Sequence, residues 1–275
     1  MLLKKLPLLS VILLAGCSSK VTKEKTSNSQ NTPEQCKMVE SKNAPSKVWE
    51  ATGFEKPESV VFDEKTNSYY VSNVVGVPNI KDGEGWISKL DQSGNVVAYK
   101  WTNGEKSIPL NNDALLHAPK GMRIRGNHLW LTDIDSVKAV QISTGAVSNI
   151  IPIKNAKFLN DIVFSDTSSA IYVTDMLTNK IHSIQKSPTN NELLSSNELE
   201  SPNGIVTRGK KLYVASWGPE IKSDFSTSDL GKILVINEKS KKIKPWNDLR
   251  VGHLDGLEFK NETTLIVSDW KAGKV

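Results

Sequence analysis

The sequence predicts an all-β fold, a β-propeller, on three observations. A short motif recurs five times, each copy leads into two strand-dense segments, and polar turns separate them. The copies are "PESVVFDEKTNSYYVSN" from Pro57, "PKGMRIRGNHLWLTD" from Pro119, "LNDIVFSDTSSAIYVTD" from Leu159, "PNGIVTRGKKLYVAS" from Pro202 and "LDGLEFKNETTLIVSD" from Leu254. Each opens with Pro or Leu, and an alternating strand follows, then a turn, then a strand rich in Val, Leu, Ile and Tyr. Period-2 alternation and β-branched enrichment are the marks of strands.

The rest of each unit reads the same way. Third strands are expected at "GWISKLD", "VKAVQIS", "NKIHSIQ" and "GKILVIN", and fourth strands in "QSGNVVAYKW" and "STGAVSNIIPI". Four short antiparallel strands per unit make a blade. A lone four-stranded sheet leaves two faces uncovered, and radial packing covers both. A β-sandwich would not explain why one motif opens every unit. The fifth unit stops early, because only "KAGKV" follows "TLIVSDW". Either the chain is truncated or the ring closes differently, with residues 46–54, "SKVWEATGF", adding a strand to the closing blade.

Upstream, "MLLKK" and the apolar run "LPLLSVILLAG" precede Cys17. The run is shorter than the ~20 residues needed to cross a bilayer and fits a secretory leader. "LLAGC" matches a bacterial lipobox, so residues 1–17 are read as a lipoprotein signal with Cys17 as the lipidated residue. Ser18 and Ser19, with no aspartate after Cys17, point to the outer membrane, facing the periplasm. Residues 18–45 are polar and poor in aromatics, and are read as a flexible tether. The propeller is expected over 46–275. If Cys17 is acylated, Cys36 has no intrachain partner, so disulfides are not expected to hold this fold. The net charge of +5 falls to +3 once Lys4 and Lys5 leave with the leader. Both signs are scattered, which argues against a nucleic-acid surface.

The residue after each opening Pro or Leu reads Glu58, Lys120, Asn160, Asn203 and Asp255. In a propeller these positions face the central channel. Two carboxylates and two amides converging on one axis suit a hard divalent cation such as Ca²⁺. Taken alone, Asn203-Gly204 and Asp255-Gly256 are also turn chemistry. Lys120 departs from the donor type and is open to two roles, orienting an anionic substrate or pairing with Glu58 or Asp255. A second ring, Asn73, Asp133, Asp175, Ser216 and Asp269, is expected to bond to backbone. Trp217 and Trp270 either line the channel mouth or pack in the core, and His117 and His253 are expected as exposed loop residues.

The openings "PES", "FLND", "SPNGIV" and "LDGLEF" resemble the senescence marker protein, gluconolactonase and luciferin-regenerating enzyme family, over residues 46 to the end. The resemblance implies a six-bladed propeller, whose last blade is then incomplete in this chain. It implies one axial divalent cation, commonly calcium, held by Glu58, Asn203 and Asp255, with Asn160 beside the metal and substrate. It also implies hydrolysis of a small lactone or ester, with Asp255 as general base. Where the family commonly carries an arginine for sugar hydroxyls, this chain has Phe158. That departure favours an alternative, a non-enzymatic propeller recognising a small ligand or envelope partner.

Overall fold

A computed structural model describes residues 14–15, 47–103, 114–185 and 191–275. The tether, both cysteines and the leader apart from Leu14–Ala15 lie outside the described residues. Over the described residues the chain folds into a β-propeller of four complete blades and a fifth, partial one. The two-residue strand β1 (Leu14–Ala15) is the third strand of the fifth sheet. Blade one contains β2 (Pro57–Asp63), β3 (Ser68–Asn73), β4 (Trp86–Asp91) and β5 (Val96–Thr102). Blade two contains β6 (Pro119–Arg125), β7 (His128–Asp133), β8 (Ser136–Gln141) and β9 (Val147–Pro152). Blade three holds β10 (Leu159–Phe164), β11 (Ile171–Asp175), β12 (Lys180–Ile184) and β13 (Asn191–Ser195). Blade four holds β14 (Pro202–Arg208), β15 (Lys211–Ser216), β16 (Ile233–Asn237) and β17 (Ile243–Pro245). Blade five contributes β18 (Leu254–Phe259) and β19 (Thr264–Asp269).

Every neighbouring pair within the sheets is antiparallel. The five opening residues of the sequence motif are the first residues of β2, β6, β10, β14 and β18, and these strands pack beside one another in that order around the channel. Apolar clusters fill the four seams between consecutive blades. Tyr70 and Ile87 meet Met122 and Leu131, Val137 meets Ile162 and Val173, Tyr172 and Ile181 meet Ile205 and Leu212, and Tyr213 meets Leu257 and Leu265.

The seam between blades five and one is different. Val60 occupies the place of Met122, Ile162, Ile205 and Leu257, yet it is 61% exposed, whereas those four are at most 4% exposed. Phe62 and Val97 of the same blade are exposed too. Residues 47–54 form no strand, so the expected contribution of 46–54 to the closing blade does not occur. The reason is aromatic packing on blade one. Trp49 lies edge-on to Tyr69 at 5.2 Å and Phe54 sits 6.3 Å from Tyr99, whose hydroxyl donates to the Thr52 carbonyl at 3.2 Å.

Candidate functional site

All five inner strands carry an irregularity at the same place, between the opening residue and the fourth residue of the strand. Such a bulge turns neighbouring side chains toward one face. The inserted position is Ser59, Gly121, Asp161, Gly204 or Gly256. At Gly121 a Cβ would collide with the Asp161 carboxylate, and at Gly204 with the Asp255 carbonyl, so glycine lets adjacent inner strands approach closely there. Hydroxyls from the second strands bind the bulges. Ser72, Thr174 and Ser268 accept the backbone N–H of Ser59, Asp161 and Gly256 at 2.9, 3.0 and 2.8 Å. The Thr174 hydroxyl also donates to the Asn203 carbonyl at 2.6 Å, tying blade three to blade four beneath the ring.

The second ring bonds to backbone, as expected. Each member is the last residue of its strand and lies opposite the opening residue. Asp133 accepts from His117 and Ala118 N–H, Asp175 from Lys157 and Phe158 N–H, and Asn73 from Glu55 N–H. Asp269 accepts from His253 and Ala272 N–H, and Ser216 exchanges bonds with the backbone of Lys232. Asn73 and the three aspartates fix the approach of the chain to four of the inner strands, and Ser216 holds the approach to β16.

The first ring is less satisfied. Glu58, Asn160 and Asp255 line a cavity of about 330 Å³ together with Asp161, Arg123 and Glu258. Asn203 is 1% exposed; its Nδ2 donates to the Leu254 carbonyl at 3.1 Å, while its Oδ1 is buried with no hydrogen-bond partner. A buried acceptor without a partner costs about 1–3 kcal/mol, which makes this oxygen available to a ligand. Burial raises the Glu58 carboxyl well above the ordinary range, Asp255 and Asp161 add to the rise, and Lys120 opposes it. Asp255 is pushed up to about 7, first by burial and then by Asp161, with an opposing hydrogen bond from Asn203. Crowded carboxyls with raised proton affinity are an electrostatic setting in which a divalent ion binds.

The remaining predicted residues fall into place around this floor. Lys120 is 2% exposed; its ammonium donates to the Pro78 and Ala118 carbonyls, each at 2.9 Å, and lies 4.5 Å from the Phe158 ring centre. Burial lowers its pKa, and Glu58 and Asp133 resist the fall. Of the two roles open to it in sequence, no direct ion pair with Glu58 or Asp255 forms. Phe158 and Trp217 are buried with Met176 and packed against Phe225, and the Trp217 Nε1 donates to the Phe225 carbonyl at 2.9 Å. Trp270 stays 65% exposed at the mouth, 5.7 Å from the Trp217 ring.

The histidines differ from expectation. His117 Nδ1 accepts the Gly83 N–H at 2.9 Å, and His253 Nε2 meets the Thr227 hydroxyl at 3.1 Å. Both are half-buried, because loops 74–85 and 217–232 fold back over the ring. Sequence reasoning also missed Asp161 and Arg123. Asp161 Oδ2 accepts the Ile205 N–H at 2.9 Å and lies 3.8 Å from Arg123. The signal was present, since Asp161 stands where the other four motif copies have serine or glycine.

A divalent cation implied by the resemblance fits these residues. Among the described residues no three His, Cys, Asp or Glu side chains are gathered as a metal cluster. Glu58, Asp255 and Asn160 share one cavity, Asn203 keeps a buried oxygen without a partner, and mixed carboxylate and amide oxygens are calcium chemistry.

No family model matches the chain and no curated protein is similar to it at a significant level. Solved structures are similar. A chain of a nidogen/laminin complex aligns with a TM-score of 0.56 at 15% identity, covering 79% of this chain and 73% of that one. A streptogramin B lyase aligns with a TM-score of 0.51 at 15% identity, over 82% and 83% of the two chains. Virginiamycin B lyase from Staphylococcus aureus aligns with a TM-score of 0.50 at 15% identity, over 78% of each. These neighbours share the β-propeller fold with this chain.

Proposed function

We propose that the protein is an envelope-anchored, metal-dependent hydrolase of a small lactone or ester, similar to gluconolactonases. The observation that carries this reading is one channel cavity lined by Glu58, Asn160 and Asp255, with an unpartnered buried amide oxygen on Asn203, next to the lining residue Gly204. Glu58, Asn203 and Asp255 hold the cation. When bound, the cation supplies polarisation of the substrate carbonyl and charge stabilisation for the oxyanion that forms. Asp255 takes a proton from water or relays one during ring opening. Asn160 orients the substrate from the adjacent strand. Lys120 adds positive charge near Glu58, a field that would favour an anionic substrate. Membrane attachment runs through Cys17, and Cys17→Ser should move the protein from the membrane to the soluble fraction.

The test is turnover of a lactone and aryl-ester panel, with and without chelator, by the wild type and Asp255→Ala. Hydrolysis that chelator and the substitution both abolish supports the reading. Full activity in Asp255→Ala refutes it.

A second reading is favoured by one observation. Phe158 stands where a sugar-binding arginine is expected, sealed under Trp217 and Phe225. An apolar ring offers no hydrogen bonds to sugar hydroxyls, so the channel would serve a non-enzymatic binding module. Propellers similar in fold include lyases and a member of a laminin complex, so the fold accommodates either role. Tight Ca²⁺ binding without hydrolysis of any panel member selects this second reading.

A further inference from the structure

At the ring end of blades three and four, an apolar cluster sits apart from the metal donors. Each second strand ends opposite the opening residue of its inner strand, so the loop after β15 starts at the level of the ring. Trp217 N–H donates at 2.9 Å to the carbonyl of Ser201, two residues before Asn203. Phe158, two residues before Asn160, has its ring centre 4.5 Å from the Lys120 ammonium. Phe158, Met176 and Trp217 are each at most 5% exposed, and Leu177, Ile221 and Phe225 pack on them. Phe225 meets Phe158 edge-on at 5.8 Å and Trp217 at 6.5 Å. Lys120, Asn160 and Asn203 are at most 7% exposed, so a ligand reaching them from this end must displace part of the cluster.

Phe225 is the member built to leave. Phe158 directly precedes an inner strand, and Met176 and Trp217 directly follow second strands. Phe225 comes instead from the loop 217–232, and part of its surface stays open. Its φ is 60°, a left-handed backbone that a bulky residue rarely adopts. Gly218, at 145°, and Glu220, at 54°, place two more positive φ angles at the entrance to the loop. Residues 219–228 close on themselves as an Ω-loop. Ser228 N–H donates to the Pro219 carbonyl at 3.1 Å, Phe225 N–H to Lys222 at 2.9 Å, and Lys222 N–H to Ser226 at 2.8 Å. The base of the loop is held separately. Arg250 binds Glu200 through two nitrogens at 2.7 and 2.9 Å and Asp229 through Nε at 3.0 Å, while Lys232 binds Glu200 at 2.7 Å. Polar contacts keep the loop down, since Trp217 Nε1 and Lys271 Nζ donate to the Phe225 carbonyl at 2.9 and 3.1 Å. A self-bonded loop on a fixed base, entered through positive-φ positions, moves as one piece.

We propose that residues 219–228 are a lid whose Phe225 fills a ligand subsite on Phe158, Met176 and Trp217, and that a phenyl-sized apolar group of the substrate takes its place when the lid opens. The inference rests on the reading of the channel as the site of a small lactone or ester, whose reacting end lies at the ring. The chemistry of the ligand follows from the group it replaces. An aromatic ring lifted off Phe158 and Trp217 is matched by another aromatic ring. Among the three subsite side chains Trp217 Nε1 is the one N–H donor, so a polyhydroxylated ring would leave hydroxyls unpaired there. A macromolecular partner needs exposed apolar surface, and the subsite has almost none while Phe225 is seated.

The test is calorimetric titration of the full chain, with Ca²⁺ present, by two inert ring amides, δ-valerolactam and a phenyl-substituted δ-valerolactam. Wild type is expected to bind the phenyl compound more tightly. Phe225→Ala empties the subsite, and should tighten the phenyl compound about tenfold while leaving the unsubstituted ring unchanged. Fluorine NMR of protein labelled with 4-fluorophenylalanine reads the lid directly, the Phe225 line being the one lost in Phe225→Leu. Saturating phenyl lactam should shift that line toward the position of a solvent-exposed ring, a result that stands even where Phe225→Ala is unstable. Unchanged or weaker binding of the phenyl compound in Phe225→Ala, equal tightening of both compounds, or an unmoved Phe225 line overturns the proposal. So does absence of phenyl-lactam binding by wild type and variant alike. Phenyl-lactam binding that moves Phe225, with no turnover of any lactone or ester, upholds the subsite and removes the hydrolase reading. Turnover with an unmoved Phe225 line does the reverse.

Discussion

Asp161 shapes the electrostatics of the channel without standing in the ring of motif residues. Its two oxygens accept the N–H groups of Ile162 and Ile205 at 2.8 and 2.9 Å, which fixes the carboxylate between blades three and four. From there it raises both Glu58 and Asp255, while Arg123, at 3.8 Å, is too far for a close pair. Removing its charge should make Asp255 easier to ionise. In metal-free protein, Asp161→Asn is expected to move the Asp255 carboxyl titration down from about 7, read by carbon-13 NMR of the aspartate side chains. An unmoved titration would show that burial alone sets it. Asn203 belongs to the same argument, since its free Oδ1 has no partner that the fold supplies.

At the scale of the element, each blade depends on hydroxyl and carboxylate residues that end or nearly end its second strand. Thr174 accepts from the Asp161 N–H and donates to the Asn203 carbonyl, so one hydroxyl holds two inner strands. Thr174→Val keeps the shape and strands both groups, which is expected to cost about 1–3 kcal/mol in urea unfolding. An unchanged midpoint would mean that water replaces the hydroxyl. Asp133 and Lys138 make a buried pair at 2.7 Å in blade two. Burial alone would raise the Asp133 carboxyl, but Lys138 and the N–H groups of His117 and Ala118 together hold it below the usual range. Its folded value thus lies under its unfolded one, near 3.9. The resulting stability is present above pH ~4 and drains away as pH falls through the folded value. Lys138→Met leaves the Asp133 charge without its cation and is expected to cost about 3–5 kcal/mol at neutral pH, with the loss shrinking in acid. Denaturant titrations at pH 7 and pH 3 check both parts.

The blades pack each against the next around the channel, and the junctions between them are not alike. Four seams are filled by interdigitating Ile, Leu, Val and Tyr, and the one between blades five and one is not. Equivalent positions should therefore respond unequally to truncation. Leu257→Ala removes a side chain packed against Tyr213 and Val206 and is expected to cost about 2–5 kcal/mol. Val60→Ala, at the same place in blade one, is expected to change stability by less than about 0.5 kcal/mol, because its side chain is already in water. Equal losses at both positions, measured in urea, would mean that Val60 is covered in solution.

The amino-acid sequence alone determined the propeller, the first residue of every inner strand, and the shared register of Glu58, Lys120, Asn160, Asn203 and Asp255. Strand alternation and a repeated opening motif are local properties, and a repeated unit must place its equivalent residues alike around an axis. Only the tertiary structure decided what each of these residues touches. It turned Lys120 onto two carbonyls and Phe158, brought Asp161 beside Asp255, folded two loops over the histidines and laid residues 47–54 along blade one. Those outcomes depend on bulges, loop paths and contacts between blades distant in sequence. No single segment encodes a contact that exists only once neighbouring blades have packed.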